Sequence, residues 1–459
     1  MDFTKLKELL LKYKQEHLLR FWDELNHNQQ EKLYNQIMTI DFELMDSLIR
    51  QTQQSSDSDI QVKLTEAELI SLNEREKSDK EMTQLGNSLI KKGKVAAFLV
   101  AGGQGSRLGF EGPKGVYPIT PVRKKSLFQL HAEKIRAISN SNNVTIPWYI
   151  MTSIANHADT VAFFEENNYF GFDKNDIMFF EQNMLPAVDK NGKMFLEDKD
   201  SVFMSPNGHG GSIKAIWDSG ALLDMKKRGI EYIFYFQVDN VLTYICDPAF
   251  IGYHAKHDAQ MSSKVLRKAF PEEKIGIICN INGKTGVVEY SDLPEEDMYA
   301  KNDEGELKFW AGSIAIHVIN TDFIEKENIT GFKLPYHIAE KNIPYLTENG
   351  EIIKPADKNG YKFETFVFDA LQHCERTISI EVSRELEFSA LKNKTGVDSE
   401  ETTIRDLNRF YSDWLKRAGI EIEGIGNVEI SPLFANTEKE LIQKKHKIPE
   451  KITGNFYLE

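Results

Sequence analysis

The stretch whose residue types point most directly to chemistry is Gly102-Gly103-Gln104-Gly105-Ser106-Arg107-Leu108-Gly109, followed by Pro113-Lys114-Gly115. Glycines let backbone N–H groups approach an anion closely, and Arg107 and Lys114 add two cations that can neutralise a polyphosphate. Two familiar phosphate motifs do not fit. There is no GxxxxGK[ST], and counting from Gly103 the third glycine position of GxGxxG holds Leu108. An acidic ribose ligand about 20 residues further on is also lacking. A purely structural strand-to-helix turn would account for the glycines but not for the Arg and the Pro-Lys. Ligands of open α/β sheets bind at the carboxyl ends of strands, and this loop follows an apolar run, so a phosphate site is the expectation.

A second candidate is Asp239-Asn240, which follows the apolar run YIFYFQV. Its carboxylate would emerge at a strand's carboxyl end beside the glycine loop. Mg²⁺ (or Mn²⁺) takes a few hard oxygen ligands and completes its shell with water and phosphate oxygens, so one carboxylate suffices; a simple turn aspartate is the alternative. His254 and His257 form an HxxH with no third ligand nearby in sequence and read as surface residues. Lys362 and Lys392 would be solvated surface charges on residue type alone. Cys246, Cys279 and Cys374 include no CxxC pair, so neither a disulfide framework nor a zinc site is expected.

These residues need a scaffold, and the surrounding patterns predict one. VAAFLVAGG from Val95 is a short apolar run ending in glycines, as in a strand buried on both faces of a parallel sheet. IPWYIMT at 146–152, YIFYFQV at 232–238 and IGIICNI at 275–281 are of the same kind. Helical stretches lie between them, SLFQLHAEKIRAI at 126–138 and GSIKAIWDSGALLDMKKRG at 211–229, the latter ending on a Gly229 cap. Alternating strands and helices predict an open α/β sheet.

Before the sheet, Leu6, Leu9, Leu10, Tyr13, Leu18, Phe21, Trp22 and Leu25 form an amphipathic helical stripe. Further helix runs through Leu33, Ile37 and Leu44, and QTQQSSDSD at 51–59 reads as a loop. After Asp398, TIRDLNRFYSDWLKRAG is an amphipathic helix and IEIEGIGNVEISP at 420–432 alternates like a strand pair. Boundaries near 92 and 400 divide the chain into an N-terminal helical unit (1–91), a catalytic domain (92–399) and a small C-terminal α+β appendage (400–459).

The bulk numbers agree with such a fold. At about 150 residues per domain, 459 residues make roughly three units. Hydrophobic residues at 41% and charged residues at 27% exclude collagen-like and disordered classes. A net charge of −14 argues against a whole-chain grip on nucleic acid or anionic membrane. The opening MDFTKLKELLLKYKQ has no apolar signal region and no long apolar run occurs, so a cytosolic, unanchored protein is expected.

VAGGQGSRLGFEGPKG resembles the signature loop of the UDP-sugar pyrophosphorylases, and specifically the eukaryotic-type UDP-N-acetylglucosamine (N-acetylhexosamine) branch. The resemblance runs from QEHLLRFWDEL at 15–25 through MLPA at 184–187, PNGHGG at 206–211, DMKKRGI at 224–230, VDN at 238–240, VVEYSD at 287–292, NGYKFETFVFD at 359–369 and EVSRELEFSALKN at 381–393. It implies a Rossmann-like nucleotidyltransferase sheet. Ala101, Gly102, Gly103 and Gly105 would bind the nucleotide, with Arg107, Lys114 and Lys392 acting on phosphates and Asp239 on the metal. The resemblance makes Gln182 the uracil contact, since one amide both donates and accepts, with the Gly208 backbone on the same base. Asn240, Gly276, Glu289, Ser313, Lys362 and Phe368 resemble the sugar-side residues.

Two departures from the branch stand out. His209 replaces its usual asparagine and matches the GHG of UDP-glucose and broad-specificity enzymes; its neutral imidazole could hydrogen-bond the nucleotide or be merely structural. Ser313 lies in AGSI where the branch has AGNI, at the acyl-amino end of the sugar. The implied reaction converts UTP and a sugar 1-phosphate, N-acetylglucosamine 1-phosphate in this branch, into a UDP-sugar and pyrophosphate. The rivals are a UDP-glucose or broad-specificity pyrophosphorylase and, from another class, an inactive nucleotide-sugar binding protein. Retention of Arg107, Lys114, Asp239 and Lys392 together speaks against the last.

Overall fold

In the computed structural model, which describes residues 1–53 and 63–459, the chain is α/β. It forms two units, one of Met1–Gln61, Gln182–Ser212 and Lys333–Val367, the other of Val62–Glu181, Ile213–Phe332 and Phe368–Glu459.

The larger unit is built on a ten-stranded sheet. Its strands in chain order are β1 (Leu64–Glu66), β2 (Val95–Val100), β3 (Trp148–Thr152), β4 (Ile177–Glu181), β5 (Tyr232–Gln237), β6 (Met261–Arg267), β7 (Ile277–Ile281), β8 (Lys284–Val288), β9 (Ala311–Asn320) and β10 (Thr377–Glu381). β5, β2, β3 and β4 lie side by side and parallel. Their continuous apolar runs are explained by burial: Ala96–Leu99 and Trp148–Met151 are almost inaccessible. Val100 stands opposite Gln237 and Met151 in register, so the chain segments that follow β2, β3 and β5 leave the sheet at one level. β9 pairs antiparallel with β5, β6 and β7, so the sheet is mixed. IGIICNI, expected to be a parallel strand, is β7, whose pairings with β1, β8 and β9 are all antiparallel. An apolar run reports burial but not the direction of its neighbour.

The smaller unit has its own core, where Leu6, Leu10, Leu33, Ile37, Met45 and Leu48 meet Leu185, Val188 and Phe363. The expected N-terminal stripe is not one helix. A helix at Phe3–Lys12 stops at Lys14, whose φ is +58°, and single 3₁₀ turns follow before helices His27–Met38 and Phe42–Gln53. Residues 51–53, expected in a loop, belong to the last of these helices, while the rest of that expected loop, 54–59, lies outside the described residues.

The boundaries near 92 and 400 are not borders between cores. Helix Leu72–Lys91 belongs to the larger unit, where Gly86 and Gly252 let it touch helix Pro248–Lys256 backbone to backbone. The amphipathic helix Glu400–Arg417 buries Leu407, Tyr411, Trp414 and Leu415 in the same core as the sheet. The 420–432 segment gives two strands that do not pair with each other. Glu421–Glu423 and Val428–Ile430 instead each pair in parallel with Lys451–Thr453 and Phe456–Leu458. The 211–229 stretch is two helices, Gly211–Asp218 and Ala221–Lys227, separated at Gly220 with φ +79°; Gly229 caps the second as expected. Among the described residues no helix is long and apolar enough to cross a membrane, and the three cysteines are buried free thiols.

Candidate active site

The glycine loop leaves β2 as a compact turn. Ala101 N–H donates to the Met151 carbonyl, Gly105 N–H to Gly112 and Lys114 N–H to Gly103, which folds the loop back on itself. Asn156, just beyond β3, is buried and donates its amide to the carbonyls of Ala101 (2.9 Å) and Gly103 (3.3 Å). With those carbonyls held inward, the N–H groups of Gly102, Gly103 and Gln104 donate to no acceptor among the described residues. Successive unpaired amides of this kind form an anion cradle. Gly115 is needed for a different reason: a Cβ there would lie 2.2 Å from the Phe128 ring, and this close packing seats Lys114 beside the loop.

Around the cradle the structure gathers charge. Lys114 Nζ lies 3.6 Å from Asp239 Oδ2, both side chains mostly buried. Asp239 therefore emerges beside the loop as the parallel register requires. Arg107, on the 3₁₀ turn Ser106–Leu108, is exposed and has no ion-pair partner among the described residues. The main chain of Asp239 is tied to the segment that carries Lys392, for its carbonyl accepts from Leu391 N–H at 2.9 Å. Lys392 Nζ itself stands 3.6 Å from Asp398 Oδ2.

Asn240 has a bracing role that its sequence position does not show. Its amide donates to the Glu387 carbonyl and accepts from Leu242 N–H and Ser389 N–H, and the residue is buried. The amide oxygen and one amide hydrogen thus brace 387–389. Glu387 is in turn clamped by buried Lys264, which donates at 2.7 and 2.9 Å to its two oxygens and at 2.7 Å to Asp247. Burial pushes the Glu387 carboxyl above its ordinary pKa. This polar core, which sequence reading missed, anchors the Lys392 segment. His254 is also not a surface residue. It is fully buried between Ser262 and Asn320, both 2.6 Å from its ring nitrogens, and burial lowers its pKa to about 4. Only His257, at the helix end, is exposed.

Three expected sugar-side residues meet where β9 begins, past the carboxyl end of its antiparallel partner β5. Ser313 N–H donates to the Gly276 carbonyl at 2.8 Å. A Cβ on Gly276 would stand 2.8 Å from Val287 and 3.4 Å from Glu289 Oε1, so the glycine makes room for that carboxylate. Phe368 is buried in the 3₁₀ turn Val367–His373.

In the smaller unit, Gln182 donates both amide hydrogens internally, to Asn207 Oδ1 (3.2 Å) and the Gly208 carbonyl (2.5 Å). Only Oε1 remains for a ligand, so the expected donor-and-acceptor contact narrows to acceptance, the role complementary to a uracil N3–H. The turn is fastened to Thr365, whose N–H and hydroxyl both donate to the Asn207 carbonyl. His209 Nδ1 accepts from Val367 N–H at 3.2 Å, so a neutral ring carries its proton on Nε2, and the ring lies 5.3 Å from that of Phe366. Lys362, on strand Gly360–Glu364, is half-buried with Nζ 5.1 Å from the Phe203 ring, and burial lowers its pKa.

Two residues beyond Lys392, the Lys394 ammonium sits at the far end of the glycine loop, 3.4 Å from where a Gly109 Cβ would be. No sequence pattern singles it out. Asn156 had a readable signal, a polar residue four positions past the end of the buried run IPWYIMT.

The sequence model for UTP–glucose-1-phosphate uridylyltransferases matches residues 41–400. A probable UDP-N-acetylglucosamine pyrophosphorylase of Dictyostelium discoideum is 34% identical, covering 99% of both chains. The UDP-N-acetylglucosamine pyrophosphorylase of Saccharomyces cerevisiae is 37% identical, covering 97% of this chain and 98% of its own. Of solved structures, the uridine diphosphate N-acetylglucosamine pyrophosphorylase of Trypanosoma brucei, in complex with an inhibitor, superposes with a TM-score of 0.84 at 26% identity, over 99% of this chain and 98% of that one. A putative UDP-N-acetylglucosamine pyrophosphorylase of Entamoeba histolytica gives 0.78 at 35% identity, over 86% and 100%. Sheet, glycine cradle and these likenesses define a nucleotidyltransferase. The chain belongs to the UTP–glucose-1-phosphate uridylyltransferase family, as a uridylyltransferase of the UDP-N-acetylhexosamine pyrophosphorylase kind.

Proposed function

We propose that the chain joins UTP to N-acetylglucosamine 1-phosphate, giving UDP-N-acetylglucosamine and pyrophosphate. The observation that carries the assignment is the glycine cradle, with three unpaired backbone N–H groups beside the Lys114–Asp239 pair. The names of near-full-length relatives support the choice of sugar.

A phosphate oxygen of the sugar 1-phosphate attacks the α-phosphorus of UTP. The bond to the bridging oxygen of the β-phosphate breaks, and pyrophosphate leaves with the electron pair. No protein nucleophile is required, so catalysis consists of positioning and charge stabilisation. The amides of Gly102–Gln104, with Arg107 and Lys114, hold the triphosphate, and Lys392 holds the sugar phosphate, drawing the two anions together. Oε1 of Gln182 and the protonated Nε2 of His209 read the base. Glu289 and Ser313 face the sugar. Asp239 fits a magnesium ion that takes most of its ligands from substrate. It offers a hard oxygen, and among the described residues no cluster of three His, Cys, Asp or Glu exists that could form an all-protein cage. When bound, such an ion would neutralise phosphate charge.

The test is pyrophosphate release from UTP and magnesium with a panel of sugar 1-phosphates. N-Acetylglucosamine 1-phosphate is expected to give the highest kcat/KM. A clear preference for glucose 1-phosphate would overturn the sugar, and silence with every sugar would overturn the activity.

A further inference from the structure

We infer that Lys394 is a contact for the β- and γ-phosphates of UTP, and hence for pyrophosphate, completing the glycine cradle from the side opposite Lys114. The inference rests on the reading of that loop as the triphosphate site and extends it by a residue that neither the motifs nor the family likeness assigns.

Its basis is a rigid turn that delivers a cation to the loop. Residues 392–399 close on themselves: Lys392 N–H and Asn393 N–H both donate to the Asp398 carbonyl (2.7 and 2.9 Å), and the Asn393 amide donates to the Val397 carbonyl at 2.8 Å. The base of the turn is fixed to Asp239 through Leu391 and to helix Glu400–Arg417, which Ser399 caps. The two lysines on this turn are not equivalent. Lys392 has Asp398 as a counter-charge, whereas Lys394 has no ion-pair partner among the described residues and its ammonium lies against Gly109.

The charge balance of the loop shows what this arrangement selects. Lys114 is matched by Asp239 and Lys392 by Asp398, whereas Arg107 and Lys394, like the loop's own carboxylate Glu111, form no ion pair among the described residues. Two unpaired cations against one carboxylate, beside unpaired amide donors, favour a multiply charged anion. Gly109 takes a left-handed φ of +71°, and a Cβ there would only touch Lys394 Nζ and Cδ, at 3.4 and 3.7 Å. The position at the loop's outer end, away from β2, suits the leaving pyrophosphate rather than the nucleoside.

The decisive measurement is steady-state pyrophosphorolysis of UDP-N-acetylglucosamine by the full chain, comparing wild type with Lys394→Met and Lys394→Arg. For Lys394→Met the KM for pyrophosphate is expected to rise about tenfold, as for one lost charge-assisted contact, with the KM for the UDP-sugar unchanged. Lys394→Arg should restore most of the loss. An unchanged pyrophosphate KM in Lys394→Met, or a fall in kcat alone, would overturn the inference while leaving the loop assignment standing. A wild type without pyrophosphate-dependent turnover would overturn the loop assignment itself.

Discussion

Two glycine turns in this molecule look alike in sequence and are built for opposite ends. In the first, Asn156 holds the carbonyls of Ala101 and Gly103, and the amides of Gly102, Gly103 and Gln104 donate to no acceptor among the described residues. A Cβ on Gly103 would find only Lys114 Cε, at 3.9 Å. In the turn at 207–211 of the smaller unit, Gly208 has φ +80°, and a Cβ there would lie 2.3 Å from the Thr365 carbonyl oxygen; on Gly210 it would lie 2.6 Å from Phe366. In the first turn Gly103 leaves open the space where we propose that a phosphate binds, while Gly105 packs against Phe110. The second lets two backbones touch so that Gln182 and His209 are presented at fixed angles. Glycine-rich sequence therefore reports close approach without saying whether the visitor is an anion or the protein's own chain.

The largest test of this contrast is Lys114→Ala, which should cut kcat by about 100- to 1,000-fold, because a charge aimed at polyphosphate acts chiefly in the transition state. Near-normal turnover at an unchanged melting temperature would remove the loop from the chemistry. Asp239→Asn should lower magnesium-dependent turnover by about 100-fold and move the magnesium titration to higher concentration, an amide oxygen being the poorer ligand for a hard cation. An unshifted titration would place the metal elsewhere.

Substituting one glycine from each turn separates the two purposes directly. Gly103→Ala should leave the melting temperature within about 1 °C and reduce turnover roughly tenfold or more, since its Cβ occupies space meant for a phosphate. Gly208→Ala should lower the melting temperature by roughly 5 °C, from strained φ and backbone overlap together. Equal effects of the two on stability would erase the distinction.

The smallest expected effect concerns the sugar. Serine at 313 is shorter than a carboxamide and leaves room for water, so the N-acetylated sugar should be preferred with measurable use of unacetylated hexose 1-phosphates. Ser313→Asn should shift the kcat/KM ratio toward the N-acetylated sugar by about five- to tenfold. An unchanged ratio would separate Ser313 from sugar choice.

Much of this protein was legible in its residues. Apolar runs ending in the glycines after Val100 and before Asp239 predicted buried strands with candidate site residues at their carboxyl ends, and the run ending at Thr152 a further buried strand. The parallel register of β2, β3 and β5 brings those ends together. The order of motifs along the chain was enough to point to the family. These features are local: a buried strand must be apolar throughout, and an anion loop must contain glycine, whatever surrounds it.

What only the tertiary structure decided depends on partners distant in sequence. IGIICNI could not announce that its neighbours would be antiparallel, nor could 421–423 and 428–430 reveal that each would pair with the last residues of the chain. Asn240 shows its bracing of 387–389 only once Glu387 and Ser389 are placed beside it, and His254 reads as exposed until Ser262 and Asn320 enclose it. Lys394 is one lysine among many until the turn fixed to Asp239 sets it against Gly109. A polar side chain can be a ligand or a strut, and which one it becomes is settled by whether the folded chain supplies its hydrogen-bond partners, because buried polar groups left unpaired are costly.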